Sequence, residues 1–214
     1  MPSIHDPTFA PPTVLPFPVG ASPFRQKGNG YVGDFAYFDK VIPGGRAAVI
    51  DAVPAGPLRT FLQQKFRGSD WYDAYPCAVM HAAAARLKRQ TFEQFRSAVG
   101  VYHAHEAGGG IYRSLLRVVS NENIAYWAPR MATIYFEYTK VETTVDGPKS
   151  VAGIIRHLPA GLAQFTVFAG VGFTEETLRI AGGSAPRFEV GAVEPDGSAH
   201  GQPLYRVAMK IRWS

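Results

Sequence analysis

The sequence predicts an α+β fold, an α/β sandwich in which an N-terminal helical layer packs on a C-terminal twisted antiparallel sheet. Three observations support it. Apolar residues recur at helical spacing from about Pro43 to Tyr138. The period changes from 3.6 to 2 after Lys140, and a long helical stretch follows Pro159 between two strand patterns. Leu204 to Trp213 then alternates polar and apolar residues. We therefore expect a sheet covered by helices that together enclose a cavity.

In the first half, proline or a capping residue marks most predicted helix starts, because proline is tolerated at a first helical position. Gly30 to Phe38 alternates only loosely and is predicted as a short strand. The predicted helix starts are Pro43, Pro57, Pro76, Thr91 and Pro129.

In the second half, Asp146-Gly147 predicts a hairpin turn before a return strand from Val151 to Arg156. A long helix is predicted from Pro159 to a stop at Gly182-Gly183. Arg187 to Val193 is predicted as a strand, followed by a loop at Pro195-Asp196-Gly197. These elements predict an antiparallel sheet with one long helix between its strands.

Proline density divides the chain. Residues 1–28 hold seven prolines and predict an extended arm, because proline at this density prevents helices and central strands. Its interleaved apolar residues leave two alternatives besides a free tail, namely a groove on its own domain or on a second copy. Residues 29–214 predict a single ligand-binding-like α+β domain.

Composition limits the functional classes. The chain has 214 residues and a formal net charge of +5. This charge alone does not indicate a nucleic-acid partner, and no nucleic-acid recognition motif is evident in the sequence. No apolar run approaches the ~18 residues of a membrane span, and the start lacks a secretory pattern, so a cytoplasmic protein is expected. The single cysteine, Cys77, excludes an internal disulfide and predicts no Cys-based zinc site.

Five short motifs carry a family resemblance that covers about Gly30 to Trp213. They are Trp71-Tyr72 with Tyr75-Pro76, Phe92-x-x-Phe95-x-x-x-Val99-Gly100, Gly110-Ile111-Tyr112-Arg113, Pro129-Arg130-Met131 with Tyr135-Phe136-Glu137-Tyr138, and Ile211-Arg212-Trp213. In order and spacing the chain resembles an uncharacterised myxobacterial paralogous family. That family is similar to heme-nitric-oxide-binding domains, 4-vinyl-reductase-type sensor domains and TRAPP transport subunits.

The resemblance implies a single, often dimeric domain with a sensory, regulatory or scaffolding role and no catalysis. The chain departs from these families in two ways, which limit the properties that can be transferred to it. The chain has no cysteine near its last strands, where vinyl-reductase-type domains place them. Heme-binding relatives carry a Tyr-x-Ser-x-Arg clamp. The nearest match here runs from Tyr112 to Arg117, but its arginine comes one position too late, and the match lies in a helix earlier in the chain than the clamp should.

Aromatic residues concentrate around the middle of the chain and predict either core packing or a pocket for an apolar ligand. Arginines nearby could anchor a carboxylate or form surface ion pairs. The predicted pocket residues are Tyr102, Tyr112, Arg113, Trp127, Tyr135 and Phe165.

His103 and His105 are the most suggestive polar pair. On a helix, residues two apart diverge by about 200°, so only one could face a given site. No metal site is predicted, and heme or metal ligation by either histidine is kept as an alternative.

No catalytic constellation is evident, so we expect no enzyme. The sequence favours a sensory or regulatory domain that binds a small apolar or amphipathic ligand, or a protein partner, without a cofactor. Two alternatives stay open: a heme- or metal-binding gas sensor, and a structural protein-interaction module. A homodimer or a signalling protein is the expected partner.

Overall fold

The computed structural model describes residues 2–108 and 121–214, and it confirms the predicted α+β class. The helices in this part of the chain are α1 (Gly28–Val41), α2 (Gly45–Asp51), α3 (Pro57–Leu62), α4 (Ala74–Leu87), α5 (Phe92–Gly108), α6 (Asn121–Tyr135) and α7 (Ala160–Ile180). The strands are β1 (Arg25–Lys27), β2 (Trp71–Asp73), β3 (Lys140–Val145), β4 (Ser150–Pro159), β5 (Arg187–Ala199) and β6 (Gln202–Arg212).

The main sheet has the strand order β3-β4-β6-β5, and all neighbours are antiparallel. The hairpin between β3 and β4 turns at Asp146 and Gly147, where Gly147 adopts a φ of 122°. α7 lies between β4 and β5 in the chain, as the sequence predicts. Its residues Ala163 and Val167 pack on the sheet, whereas Leu162 and Phe165 belong to the helical core. α7 therefore joins the helical layer to the sheet.

The N-terminal arm packs against its own domain. Ile4 and Phe9 are buried in the core between the sheet and α7. Gln164 donates a hydrogen bond from Nε2 to the Ile4 carbonyl, and the Val193 N–H donates to the Pro2 carbonyl. The arm thus occupies a groove on its own domain, one of the two alternatives to a free tail.

The predicted strand at Gly30 to Phe38 is wrong, because this segment lies inside α1. Two of the three glycines in α1 are required by close approach. A Cβ on Gly28 would overlap the Arg67 carbonyl oxygen, and one on Gly33 would overlap the His103 ring. Tertiary contacts outweigh the low helix propensity of glycine here.

Two other boundaries differ from the prediction. Pro129 lies inside α6 instead of beginning it. β5 continues through the predicted loop at Pro195-Asp196-Gly197 and ends at Ala199, with register shifts on either side of Pro195. Because β5 is an edge strand, a proline without an N–H is tolerated there.

Among the described helices, none combines the length and the apolar composition that a bilayer-spanning segment needs.

Candidate functional site

A buried polar cluster lies where α1, α4 and α5 meet. Asp34 of α1 is at its centre and is only 1% exposed. Cys77 and His81 are four residues apart on α4, which places both on one face of that helix. Arg96 and His103 approach from α5. We call these five residues the Asp34 cluster.

Each oxygen of the Asp34 carboxylate has its own neighbours. Oδ1 lies 2.8 Å from His103 Nε2 and 3.7 Å from a terminal nitrogen of Arg96. Oδ2 accepts a hydrogen bond from the Cys77 thiol at 3.1 Å and lies 2.9 Å from His81 Nε2. The contact with His81 is short, yet its geometry is not that of a hydrogen bond, and neither ring nitrogen of His81 has a hydrogen-bond partner among the described residues.

Arg96 is fixed independently of Asp34. Its Nε donates to the Phe165 carbonyl at 3.0 Å, and its guanidinium lies 4.1 Å from the centre of the Phe165 ring. Ser97 donates to the Phe168 carbonyl, one turn further along α7. The guanidinium is thus held beside Asp34 as a permanent positive charge.

The protonation states follow from burial and from these neighbours. Burial raises the pKa of Asp34, but His81 and His103 outweigh it and hold that pKa well below its usual range. Burial lowers the pKa of His81 to about 4, with Arg96 adding to the effect. Burial also raises the pKa of the Cys77 thiol well above its usual range, and Asp34 raises it further. Near neutral pH the cluster therefore contains an ionised Asp34, a neutral His81 and a protonated Cys77.

The depressed pKa of His81 predicts a loss of stability in mild acid. The unfolded chain protonates this histidine below about pH 6.5, whereas the folded chain resists protonation down to about 4, so acid favours the unfolded state. We expect the free energy of unfolding to fall by about 2 kcal/mol between about pH 7 and pH 5 from this group. Asp34 adds almost nothing in that interval, because its stabilising contribution is lost between its ordinary pKa of 3.8 and its lower pKa in the folded chain, both below pH 5. Urea unfolding at both pH values measures the change.

The His81→Gln variant tests the assignment. It should lose most of this pH dependence while keeping that of the other groups. An unchanged difference between the two pH values would show that His81 is not the group responsible.

A mostly apolar cavity of about 190 Å³ adjoins the Asp34 cluster. Its walls come from α1, α5, α6, α7, strand β1 and the inner face of the main sheet. Along α7 it extends from Thr166 to Ala181, or ~22 Å at 1.5 Å per residue. The cavity is therefore a narrow slot along α7, with Asp34, Arg96 and His103 in its wall.

Three buried polar atoms in this wall lack a hydrogen-bond partner among the described residues. They are Gln26 Nε2, one terminal nitrogen of Arg96, and Thr177 Oγ1. The Gln26 amide lies beside Cys77, where hydrogen bonding to the sulfur lowers that thiol's pKa, but its Nε2 makes no hydrogen bond of ordinary geometry to the thiol. Unpaired polar groups inside proteins are rare and costly, so these atoms indicate where a bound molecule could be held.

The structure separates the sequence-predicted site residues. Trp127, Tyr135 and His103 line the cavity. Tyr102 lies outside it against Tyr37, and Phe165 is fully buried beneath Arg96.

The other histidine of the predicted pair does not line the cavity. His105 is exposed and lies 3.0 Å from Glu176. Tyr112 and Arg113, with the resemblance motif that contains them, lie outside the described residues.

Sequence reasoning missed Asp34, Gln26 and the role of His81. Asp34 was hidden by the wrong strand prediction. On a helix it falls on the same face as Tyr31, Phe35 and Phe38, and a carboxylate within an apolar face is a signal of a buried partner. The spacing of Cys77 and His81 on α4 was a second available signal.

Comparison with known proteins shows the fold. No family model and no curated protein matches this chain. Among solved structures, an Fe(II) unliganded H-NOX protein from K. algicida superposes with a TM-score of 0.61 at 12% identity, over 88% of this chain and 96% of that one. An oxygen-binding H-NOX domain related to soluble guanylate cyclases, as its oxygen complex, gives 0.54 at 10% identity, over 87% and 92%. A mutant H-NOX of T. tengcongensis gives 0.59 at 10% identity, over 88% and 97%.

The chain therefore has the fold of H-NOX domains, and the heme-NO-binding part of the predicted resemblance is confirmed at the level of fold. The relations to the myxobacterial family, vinyl-reductase-type domains and TRAPP subunits stay predictions. The likeness gives no support to the prediction that no cofactor is needed, since the similar H-NOX structures include an Fe(II) protein and one that addresses heme distortion.

The described residues do not form a heme site. His103 is the only histidine among them that lines the cavity, and both of its ring nitrogens face α1. Nε2 is bound to Asp34, and Nδ1 lies 2.9 Å from the point where a Cβ of Gly33 would be. The cavity of about 190 Å³ is also below the ~300 Å³ at which sites for drug-sized ligands begin.

Proposed function

We propose that this protein is a non-enzymatic ligand-binding sensory domain whose cavity holds a small, mostly apolar molecule that carries one neutral hydrogen-bond acceptor. The observation that carries the proposal is the apolar slot with the Gln26 amide, a buried donor without a hydrogen-bond partner, in its wall. An apolar cavity of ~150 Å³ in another protein binds benzene, so about 190 Å³ is sufficient for one ring with a short substituent.

Charge balance favours a neutral ligand over an anion. Asp34 and Arg96 both line the cavity, and their charges compensate each other at 3.7 Å. A carboxylate added here would be buried without a free counter-charge, which is costly in an apolar site. A carbonyl or ether oxygen, in contrast, could accept a hydrogen bond from Gln26 without adding charge.

Two probes of the same shape test the proposal. Acetophenone carries a carbonyl, and ethylbenzene has the same skeleton without it. We expect acetophenone to bind more tightly, by roughly the 2- to 10-fold that one net hydrogen bond provides. Benzoate, the anionic counterpart, should bind more weakly than acetophenone. Isothermal titration calorimetry measures all three affinities.

Gln26→Leu is the matched variant, because it keeps the side-chain size and removes the unpartnered donor. It should bring the affinity for acetophenone down to that for ethylbenzene, while ethylbenzene binding is kept. Absence of binding by every probe, or an unchanged preference for acetophenone in the variant, would contradict the proposal.

A heme-based gas sensor is the alternative that the fold favours. It predicts a Soret band after reconstitution with hemin, and loss of that band in His103→Gln but not in the exposed His105→Gln. A stoichiometric hemin complex with this pattern would overturn the proposed small-molecule site, because both occupy the same space beside α5.

A sensory domain must also transmit its state. A homodimer or a signalling protein partner stays the predicted recipient, and the interaction-module alternative stays open if the cavity binds nothing. α6 is a suitable relay, because Trp127 and Tyr135 line the cavity. Immediately after α6, Glu137 pairs with Arg25 of the β1–β2 ribbon.

A further inference from the structure

We propose that Asp34, Cys77 and His81 form a binding site for a divalent transition-metal ion, with zinc as the preferred ion. The three side chains are fully buried, and one ligand atom from each lies within 4.8 Å of the others. Aspartate oxygen, cysteine sulfur and histidine nitrogen are all ordinary zinc ligands. The expectation that one cysteine excludes a Cys-containing zinc site does not apply to such a mixed set.

The orientation of His81 is the first argument. Its Nε2 lies 2.9 Å from Asp34 Oδ2 but is not directed at it as a donor, and Nδ1 is also without a partner among the described residues. Two ligands of a common ion have this relation, since each points to the ion instead of to the other. A fully buried imidazole without a hydrogen-bond partner, beside a carboxylate and a thiol, therefore indicates a position at which an ion could bind to all three groups.

The distances are the second argument. Zn–N and Zn–O bonds of ~2.0–2.1 Å and a Zn–S bond of ~2.3 Å in a tetrahedron separate neighbouring ligand atoms by ~3.3–3.6 Å. The observed separations from Asp34 Oδ2 are 2.9 Å to His81 Nε2 and 3.1 Å to Cys77 Sγ. These two separations need to widen by only a few tenths of an ångström to accept an ion, and all three ligand atoms lie within 4.8 Å of one another.

The other carboxylate oxygen is already held in place. His103 and Arg96 contact Oδ1, which leaves Oδ2 facing Cys77 and His81. Hydrogen bonds of this kind orient ligating carboxylates in metal sites. Arg96 does not need Asp34 to stay in position, because it is bound to Phe165, so ion binding at Oδ2 leaves its contacts intact.

Binding requires one proton to leave. The Cys77 thiol gives its proton to solvent and ligates as the thiolate, while His81 is already neutral and Asp34 already ionised. The cavity provides the route, because Asp34 lies in its wall. Three protein ligands leave a fourth coordination position for water.

Cobalt(II) titration of the whole chain tests the site. Protein stripped with a chelator and kept reduced should bind one equivalent of cobalt(II), with visible bands of tetrahedral cobalt and a near-ultraviolet thiolate charge-transfer band. Zinc should displace it. Cys77→Ser should abolish the charge-transfer band, and His81→Gln should weaken zinc binding by more than roughly 100-fold. His105→Gln, an exposed histidine on α5, is the matched control and should bind as the wild type does.

The wild-type spectrum decides the question even if a variant fails to fold. Lack of stoichiometric cobalt binding, or bound cobalt without a thiolate band, would overturn the proposal. Wild-type zinc affinity in a folded Cys77→Ser variant would overturn it as well. None of these outcomes bears on the binding of acetophenone.

Discussion

Asp34→Asn is expected to lower the free energy of unfolding by about 3–5 kcal/mol, the cost of removing one partner from a buried ion pair. The substitution keeps the side-chain shape but leaves the buried Arg96 guanidinium without a counter-charge. It also removes the carboxylate that accepts from Cys77 and His103. Urea unfolding in the presence of a chelator, at neutral pH, measures the change without any contribution from a bound metal.

Asp51→Asn is the control, because the Asp51 side chain is 75% exposed and its ion pair with Arg59 is long at 3.8 Å. It should change stability by no more than about 0.5 kcal/mol. A double variant, Asp34→Asn with Arg96→Met, separates charge from packing. It should be less destabilised than the sum of the two single variants, since it no longer buries an unpaired charge. Additive losses would show that the two side chains are not coupled.

The sheet could be predicted from sequence because its signals are local. The Asp146-Gly147 turn and the alternation of Leu204 to Trp213 depend on neighbouring residues alone. The α1 segment could not be predicted, because Gly28 and Gly33 are explained only by residues remote in the chain, Arg67 and His103. Local propensity fails where close tertiary approach decides the conformation.

The candidate site was less predictable than the fold for a related reason. Its residues come from three helices, and Asp34 is separated from His103 by 69 positions. Each residue alone is ordinary: a lone cysteine, a histidine beside Met80, an arginine after a basic segment. Their significance arises only from burial around one carboxylate, which no spacing rule encodes. Trp127 and Tyr135, which line the cavity, belong to an aromatic concentration that is visible in the sequence, and their role in ligand binding stays a prediction.

The crossing of α5 over α7 brings the two backbones into contact and also sets the position of Arg96. Gly100 and Gly172 make it possible. A Cβ on Gly100 would lie 2.5 Å from the Ala169 carbonyl oxygen, and one on Gly172 would overlap the Ser97 carbonyl oxygen. Both obstacles are backbone atoms, which a side-chain rotation cannot relieve. The helices would have to separate, and the bond from Arg96 to the Phe165 carbonyl would stretch with them.

Gly172→Ala should therefore destabilise the protein by about 3 kcal/mol, at the upper end of the usual cost of overpacking, despite alanine's better helix propensity. Gly170→Ala, two residues earlier in α7, provides the contrast, because nothing lies within 4 Å of the added methyl group. That variant should gain about 0.5–1 kcal/mol from the lower conformational entropy of its unfolded chain. Thermal and urea unfolding of both variants measure the difference. Equal stabilities of the two variants would mean that α5 and α7 do not cross closely at Gly172. The position of Arg96 beside Asp34, which depends on that crossing, would then be wrong as well.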